Sequence, residues 1–179
     1  VTGSIILGID RETLREKVDL RAAGDRLDDL QNQRSLAAIT EKVTLLRVVG
    51  RIDDAWTMAN EAVRLARFTG DRETLLAARI RRAQVQHYQE KFEVALMELS
   101  GCVNEAHAHD WIDLEVLALQ ARGRAYFDRR DYRRALVDFE DANGIRERNN
   151  LPAEPYDATT VAIAVTRELL TGGSAPSRL

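Results

Sequence analysis

Along most of the chain, residues suited to burial recur at the three- and four-residue spacing of a helix face rather than alternating as in strands. Leu76, Ile80, Ala83 and His87 stand at that spacing, as do Phe92, Ala95, Leu99, Cys102 and Ala106 after a polar break. Leu119, Gly123 and Tyr126, then Tyr132, Ala135, Phe139 and Ala142, repeat the arrangement. Each pair of runs predicts two helices joined by a short turn. Only 3 prolines and 10 glycines interrupt the 179 residues, which favours long helices over many short strands. Gly70-Asp71 and His109-Asp110 separate successive pairs. Asp71 and Asp110 are placed to cap the following helix by accepting its free amide hydrogens.

The paired runs are copies of one unit. Arg51-Ile52-Asp53-Asp54-Ala55-Trp56 aligns with Lys91-Phe92-Glu93-Val94-Ala95-Leu96 and with Asp131-Tyr132-Arg133-Arg134-Ala135-Leu136, a constant period of 40 residues. Ile52, Phe92 and Tyr132 share a large slot, whereas Ala62, Cys102 and Ala142 share a small one, as do Ala38, Ala78 and Ala118. Small slots let two helices of a tight hairpin approach, so Ala95 and Ala135 are expected at the crossings, with Phe92 or Tyr132 filling the gap beside them. Glycine inside a helix costs roughly 1 kcal/mol relative to alanine, so Gly123 predicts close helix contact.

The segment Gly123-Arg-Ala-Tyr126-Phe-Asp-Arg-Arg-Asp-Tyr132-Arg-Arg-Ala135-Leu-Val-Asp-Phe139-Glu-Asp-Ala142 resembles the tetratricopeptide repeat family in its 40-residue bacterial and signalling form. The second unit departs from it with Ala83 in the glycine slot and Gln86 in the tyrosine slot. The first departs further, with Val43 and Ala59 in the slots of Gly123 and Phe139. A slot that is leucine in the family holds Lys42, Arg82 and Arg122; their stems are expected to pack while the charged heads snorkel to water. The resemblance covers about residues 31–148. It implies an all-α fold, a right-handed superhelical solenoid of antiparallel helix hairpins, with repeats at about 31–70, 71–110 and 111–150.

Flanking elements complete this expectation. Residues 1–30 are expected to hold a helix from Asp10 to about Ala23, with Leu14, Val18 and Ala22 on one face. Residues 156–170 read as a final helix, with Val161, Ala164, Val165 and Leu169 covering the open end that a solenoid must protect. Pro155 suits the start of that helix. Residues 171–179 read as a disordered tail.

Composition narrows the function. The chain is 45% hydrophobic and 31% charged, the balance of a folded protein rather than a disordered one. A net charge of −3 supplies no overall field toward nucleic acid or anionic membrane. Only Lys17, Lys42 and Lys91 of the 26 basic residues are lysines, a bias that coding in a GC-rich genome explains. The lone Cys102 excludes an internal disulfide and suits a reducing compartment, so the cytoplasm is the expected location. The apolar run Ile5–Ile9 is too short to span a bilayer.

No phosphate-cradling glycine loop, nucleophile elbow or paired-histidine metal motif is present. No catalytic residue, metal ligand or cofactor site is therefore assigned. Cys102 falls in a small core slot, and Asp53 and Asp54 fall in a helix first turn, where negative charge is stabilising. The run Arg129-Arg130, Arg133-Arg134 is interleaved with Asp128, Asp131 and Asp138, which suits a solvated face better than nucleic-acid binding.

In the family that the sequence resembles, the first helices of successive hairpins line a concave groove for a partner peptide or helix. The corresponding groove residues here are Thr44, Arg47, Arg81, Gln84, Tyr88, Gln120, Arg124 and Phe127. Guanidinium groups pair bidentately with carboxylates and the aromatics add apolar contact, so the groove suits a partner segment of acidic and apolar residues. The competing expectation is that its arginines pair internally with Glu41 and Asp128. The resemblance thus implies a protein-interaction adaptor or scaffold, with self-association at exposed hairpin edges as a further expectation. The alternative is the effector- or peptide-sensing domain of a bacterial transcription or signalling regulator. The roughly thirty residues before the repeats are too few for a helix-turn-helix output module.

Overall fold

The structure is a computed structural model and describes residues 5–152 and 155–172. Apart from one short hairpin, the regular structure of the described residues is helical. The hairpin pairs β1 (Ile6–Ile9) antiparallel with β2 (Glu16–Val18). Eight α-helices follow among the described residues: α1 (Leu20–Leu30), α2 (Leu36–Val48), α3 (Ile52–Thr69), α4 (Arg72–Tyr88), α5 (Phe92–Ala108), α6 (Ile112–Asp128), α7 (Tyr132–Arg148) and α8 (Ala158–Gly172). A 3-10 turn, Pro155–Asp157, leads into α8. Among the described residues, no helix is long and apolar enough to cross a membrane.

The hairpin corrects the expected helix from Asp10 to Ala23. Asp10 uses its side chain to accept from the amides of Glu12 and Thr13 and from the Thr13 hydroxyl. That local turn competes with helix formation. Asp19 then caps α1 by accepting from the amides of Arg21 and Ala22, so the helix starts at Leu20. The expected tail from residue 171 is also corrected in part, because Thr171 and Gly172 close α8; residues 173–179 lie outside the described residues.

Short links set the helix layout. Residues 50, 70, 90, 110, 130 and 150 all have positive φ, one every 20 residues. Five of them share one bonding pattern. Arg51, Lys91, Trp111, Asp131 and Leu151 donate their amides to the carbonyls of Leu46, Gln86, Ala106, Tyr126 and Arg146. This six-to-one bond behind a left-handed residue satisfies the last carbonyls of one helix and turns the chain into the next. Asp71 caps α4 as expected, accepting from Glu73 and Thr74. Asp110 does not cap α6: it is itself the left-handed residue, its amide donated to His107 to close α5.

Each helix from α2 to α8 packs on its sequence neighbour, and α2 also touches α4, as α4 touches α6. These three helices therefore form one layer, with α3, α5 and α7 on the other side. Ala55, Ala95 and Ala135 are fully buried where the helices meet, as is Cys102. A Cβ placed on Gly123 would stand 2.7 Å from Phe139 Cε1, so α6 and α7 approach to near-minimal distance there. The preceding hairpins reach the same fit by other volumes. Ala83 packs in one cluster with Leu99, and Val43 packs in another with Ala59. A smaller residue on one helix is matched by a larger one on its partner.

Candidate partner-binding groove

The residues assigned to the groove come from α2, α4 and α6, and the structure brings three of them onto a single carboxylate. Arg47 Nη2 and Arg124 Nη1 each lie 3.2 Å from Glu16 Oε1, and the Tyr88 hydroxyl donates to Glu16 Oε2 at 3.2 Å. Glu16 belongs to β2, so the chain's own hairpin lies on the layer of α2, α4 and α6. Burial by itself raises the Glu16 carboxyl, but the charges of Arg47 and Arg124 more than reverse this and hold it at about 2. Arg47 is 6% exposed. Such a buried charge is tolerable only because it is paired.

The residues beside Glu16 extend the contact. The Arg15 guanidinium lies 4.1 Å from the centre of the Tyr88 ring and Arg47 lies 4.8 Å from it, both within cation–π reach. Arg15 also pairs with Asp128 at 2.9 Å, and His87 Nε2 lies 2.7 Å from the same Asp128 oxygen. Leu14 is buried beside Phe127, Phe139, Ala162 and Val165, on α6, α7 and α8. At the other end Ile5 and Val18 pack against Ala23, Leu30, Ala38 and Leu45. Arg11 reaches Glu168 at 3.1 Å, and Tyr156 donates to the Ile6 carbonyl. The hairpin therefore straps α1 and α2 to α8 across the layer of α2, α4 and α6.

The other assigned residues are distributed differently. Phe127 is buried beside Leu14 and borders a separate cleft between α6, α7 and α8 with Tyr132, Val165 and Leu169. Gln120 donates to the Thr159 hydroxyl of α8 at 2.7 Å. Gln84 is half-buried on α4. Thr44 and Arg81 line an uncovered cleft between α2 and α4 of about 590 Å³, together with Leu36, Thr40, Thr74 and Ala77.

Two of the three assigned arginines, Arg47 and Arg124, pair internally, but not with the expected acids. Glu41 is held by Arg26 in two bonds of 2.6 and 2.9 Å, and Asp128 is held by His87 and Arg15. The partner is Glu16, 31 residues from Arg47 and 108 from Arg124. The one signal for it in the sequence is chemical. Leu14-Arg15-Glu16 has the apolar and acidic makeup assigned to a groove ligand, and it is part of the same chain.

The Lys42, Arg82, Arg122 series is corrected as well. Lys42 Nζ donates to the carbonyls of Gln31 and Gln33 just past the end of α1. Arg122 grips the buried Asp138 through bonds of 2.8 and 2.7 Å, and Arg82 lies 3.5 Å from Glu98. The heads meet partners on neighbouring helices and links while Arg82 and Arg122 stay partly exposed.

Comparison with protein-family models, with curated proteins and with solved structures found no match for this chain. Its chemistry is therefore read from its own residues. Among the described residues, no group of three or more His, Cys, Asp or Glu is placed to hold a metal. His107 Nδ1 lies 2.9 Å from Glu115, and His109 stacks on Trp111. Burial pushes the Cys102 thiol up to about 12, far from the range of a reactive thiolate.

Proposed function

We propose that the chain is a protein-interaction module of tetratricopeptide type, a right-handed solenoid whose inner layer accepts a partner segment carrying apolar and acidic residues. One observation carries the reading. The chain's own Leu14–Glu16 segment is seated on that layer, its carboxylate taken by Arg47, Arg124 and Tyr88. A segment of the stated chemistry is thus already the groove's occupant over α6, while the stretch between α2 and α4 is left uncovered. A partner running along that stretch adds its carboxylates to the same line of guanidiniums.

Selection of a displayed peptide library against the full chain tests this. Winning peptides carry an apolar residue near an acidic one and lose affinity at high salt. Ala77→Glu, which sets a carboxylate in the uncovered stretch, abolishes their binding. Val137→Glu, at an exposed position on α7 in the opposite layer, leaves it intact. The reverse outcome, loss with Val137→Glu alone, refutes the groove and moves the interaction to the outer layer.

A further inference from the structure

Most arginines that face the inner layer or the helix interfaces have an acid. Arg47 and Arg124 share Glu16, Arg15 has Asp128, Arg26 has Glu41, Arg122 has Asp138, and Arg79 has Glu98 and Glu105. Arg81 differs. Among the described residues its guanidinium meets no carboxylate, and its Nη1 donates to the Ala77 carbonyl of its own helix at 3.1 Å. Burial and the neighbouring Arg47 charge both push it below its ordinary value, as expected where negative charge is missing. Glu41, on the wall of the same cleft, is already engaged by Arg26 through both carboxylate oxygens.

The space before Arg81 is shaped for an occupant. It holds about 590 Å³, within the roughly 300–1,000 Å³ of small-ligand sites. Thr40, Thr44 and Thr74 contribute hydroxyls, and Leu36, Ala37 and Ala78 an apolar wall. Forked N–H donors beside an apolar wall match a carboxylate next to an aliphatic side chain. The hairpin's Leu14–Glu16 segment shows the same pairing elsewhere on the layer, with Leu14 in a pocket and Glu16 on guanidiniums.

We propose that the α2–α4 cleft seats a glutamate or aspartate side chain of a partner peptide, with Arg81 pairing to its carboxylate and Leu36, Ala37 and Ala78 receiving the adjacent apolar residue. This rests on the groove reading above and adds the specific seat. Among the described residues Arg81 has no acid to pair with, so replacing it relieves an unpaired half-buried charge and gives up only the bond to the Ala77 carbonyl.

The test uses the full chain and side-chain NMR of the arginine Nε–H groups. The probe is acetyl-Ala-Leu-Ala-Glu-Ala-amide, beside the same peptide with Gln for Glu and acetyl-Ala-Leu-Ala with a free C-terminus. The expected result is a saturable shift at Arg81 and at the amides of Thr40 and Thr44 with the Glu probe. Affinity falls roughly 10-fold or more with the Gln probe and with Arg81→Gln, as loss of a charge-assisted pair requires. Arg133→Gln, at an exposed position, changes nothing. The melting temperature of Arg81→Gln equals or exceeds that of the parent, a readout that a structural arginine would move the other way. Equal binding of the Glu and Gln probes, unchanged affinity in Arg81→Gln, or a stability loss in that variant overturns the seat. Tighter binding of the free-C-terminus probe overturns the side-chain assignment in favour of a chain end. A Glu probe that shifts Arg47 and Arg124 but not Arg81 overturns the seat while leaving the groove reading in place.

Discussion

Gly123 is the position where the packing makes its sharpest demand. Gly123→Ala by itself favours the helix by about 1 kcal/mol. Against this, the new Cβ meets the Phe139 ring at 2.7, 2.9 and 3.1 Å, and Phe139 is 1% exposed, with nowhere to swing. Overpacking of this kind costs about 1–3 kcal/mol; with two ring atoms inside 3.0 Å we take the upper half, leaving a net loss of about 1–2 kcal/mol. Phe139→Leu alone removes ring volume and costs about 1.5 kcal/mol. Together the two substitutions install the Ala83–Leu99 pairing of the preceding hairpin. The clash is then absent and the helix gain returns, so the double variant sits about 0.5 kcal/mol below the parent. Simple addition would put it about 2.5–3.5 kcal/mol below, which makes the coupling about 2–3 kcal/mol. Urea unfolding of the four proteins measures it as shifts in the transition midpoint at constant slope. A stabilised Gly123→Ala, or a double variant equal to the sum of its parts, refutes the complementary-volume argument.

Glu16 makes the fold acid-sensitive. Its folded value of about 2 lies below the ordinary 4.5, so its contribution is complete above about 4.5 and is lost as pH falls toward 2. The loss is on the order of 3 kcal/mol. Chemical denaturation across that window should show it, and Glu16→Gln should be less stable at neutral pH yet flatter between these limits. Glu90 and Arg130 hold left-handed conformations, φ 62° and 61°, that a side chain disfavours by about 1 kcal/mol. Glu90→Gly and Arg130→Gly should each raise the unfolding free energy by about that amount, and a fall in thermal midpoint would count against the capping role of those links. Cys102, fully buried with its thiol pushed up to about 12, should react with a thiol-specific disulfide reagent only as fast as the chain unfolds. Stoichiometric labelling of the native protein within seconds would contradict that placement.

The helices could be read from the chain because a period of 40 residues leaves the same small slots at Ala55, Ala95 and Ala135 whatever else changes. The first hairpin looks decayed by its Val43 and Ala59, yet these compensate each other in space. That is a pairwise property which inspection of single slots misses. The link residues at 90, 110 and 130 lack the glycine that marks Gly50 and Gly70, so their shared turn was hidden behind Glu, Asp and Arg. The hairpin is illegible for a different reason. Leu14, Val18 and Ala22 fall at helical spacing, but two aspartates, Asp10 and Asp19, bind local amides and divide that segment into a turn, a strand and a helix start. Register alone places Arg47 and Arg124 on corresponding helices; it gives no sign of Glu16, because a contact 108 residues away leaves no local trace.

The strap formed by residues 5–19 also changes what sort of object the chain is when it unfolds. A row of helix hairpins, each touching only its neighbours, opens from whichever end is weaker and folds from any point. Here residues near the start grip α8 through Leu14 and Arg11 and grip α2 and α6 through Glu16. Neither end is free to peel until that segment lets go, and it is seated only when the first and last helices are both in place. Hydrogen exchange in α2 and α8 is therefore bound to a common opening event rather than to two independent ones. The long sequence separation of those contacts makes the last folding step slower than the local helix pairings that precede it.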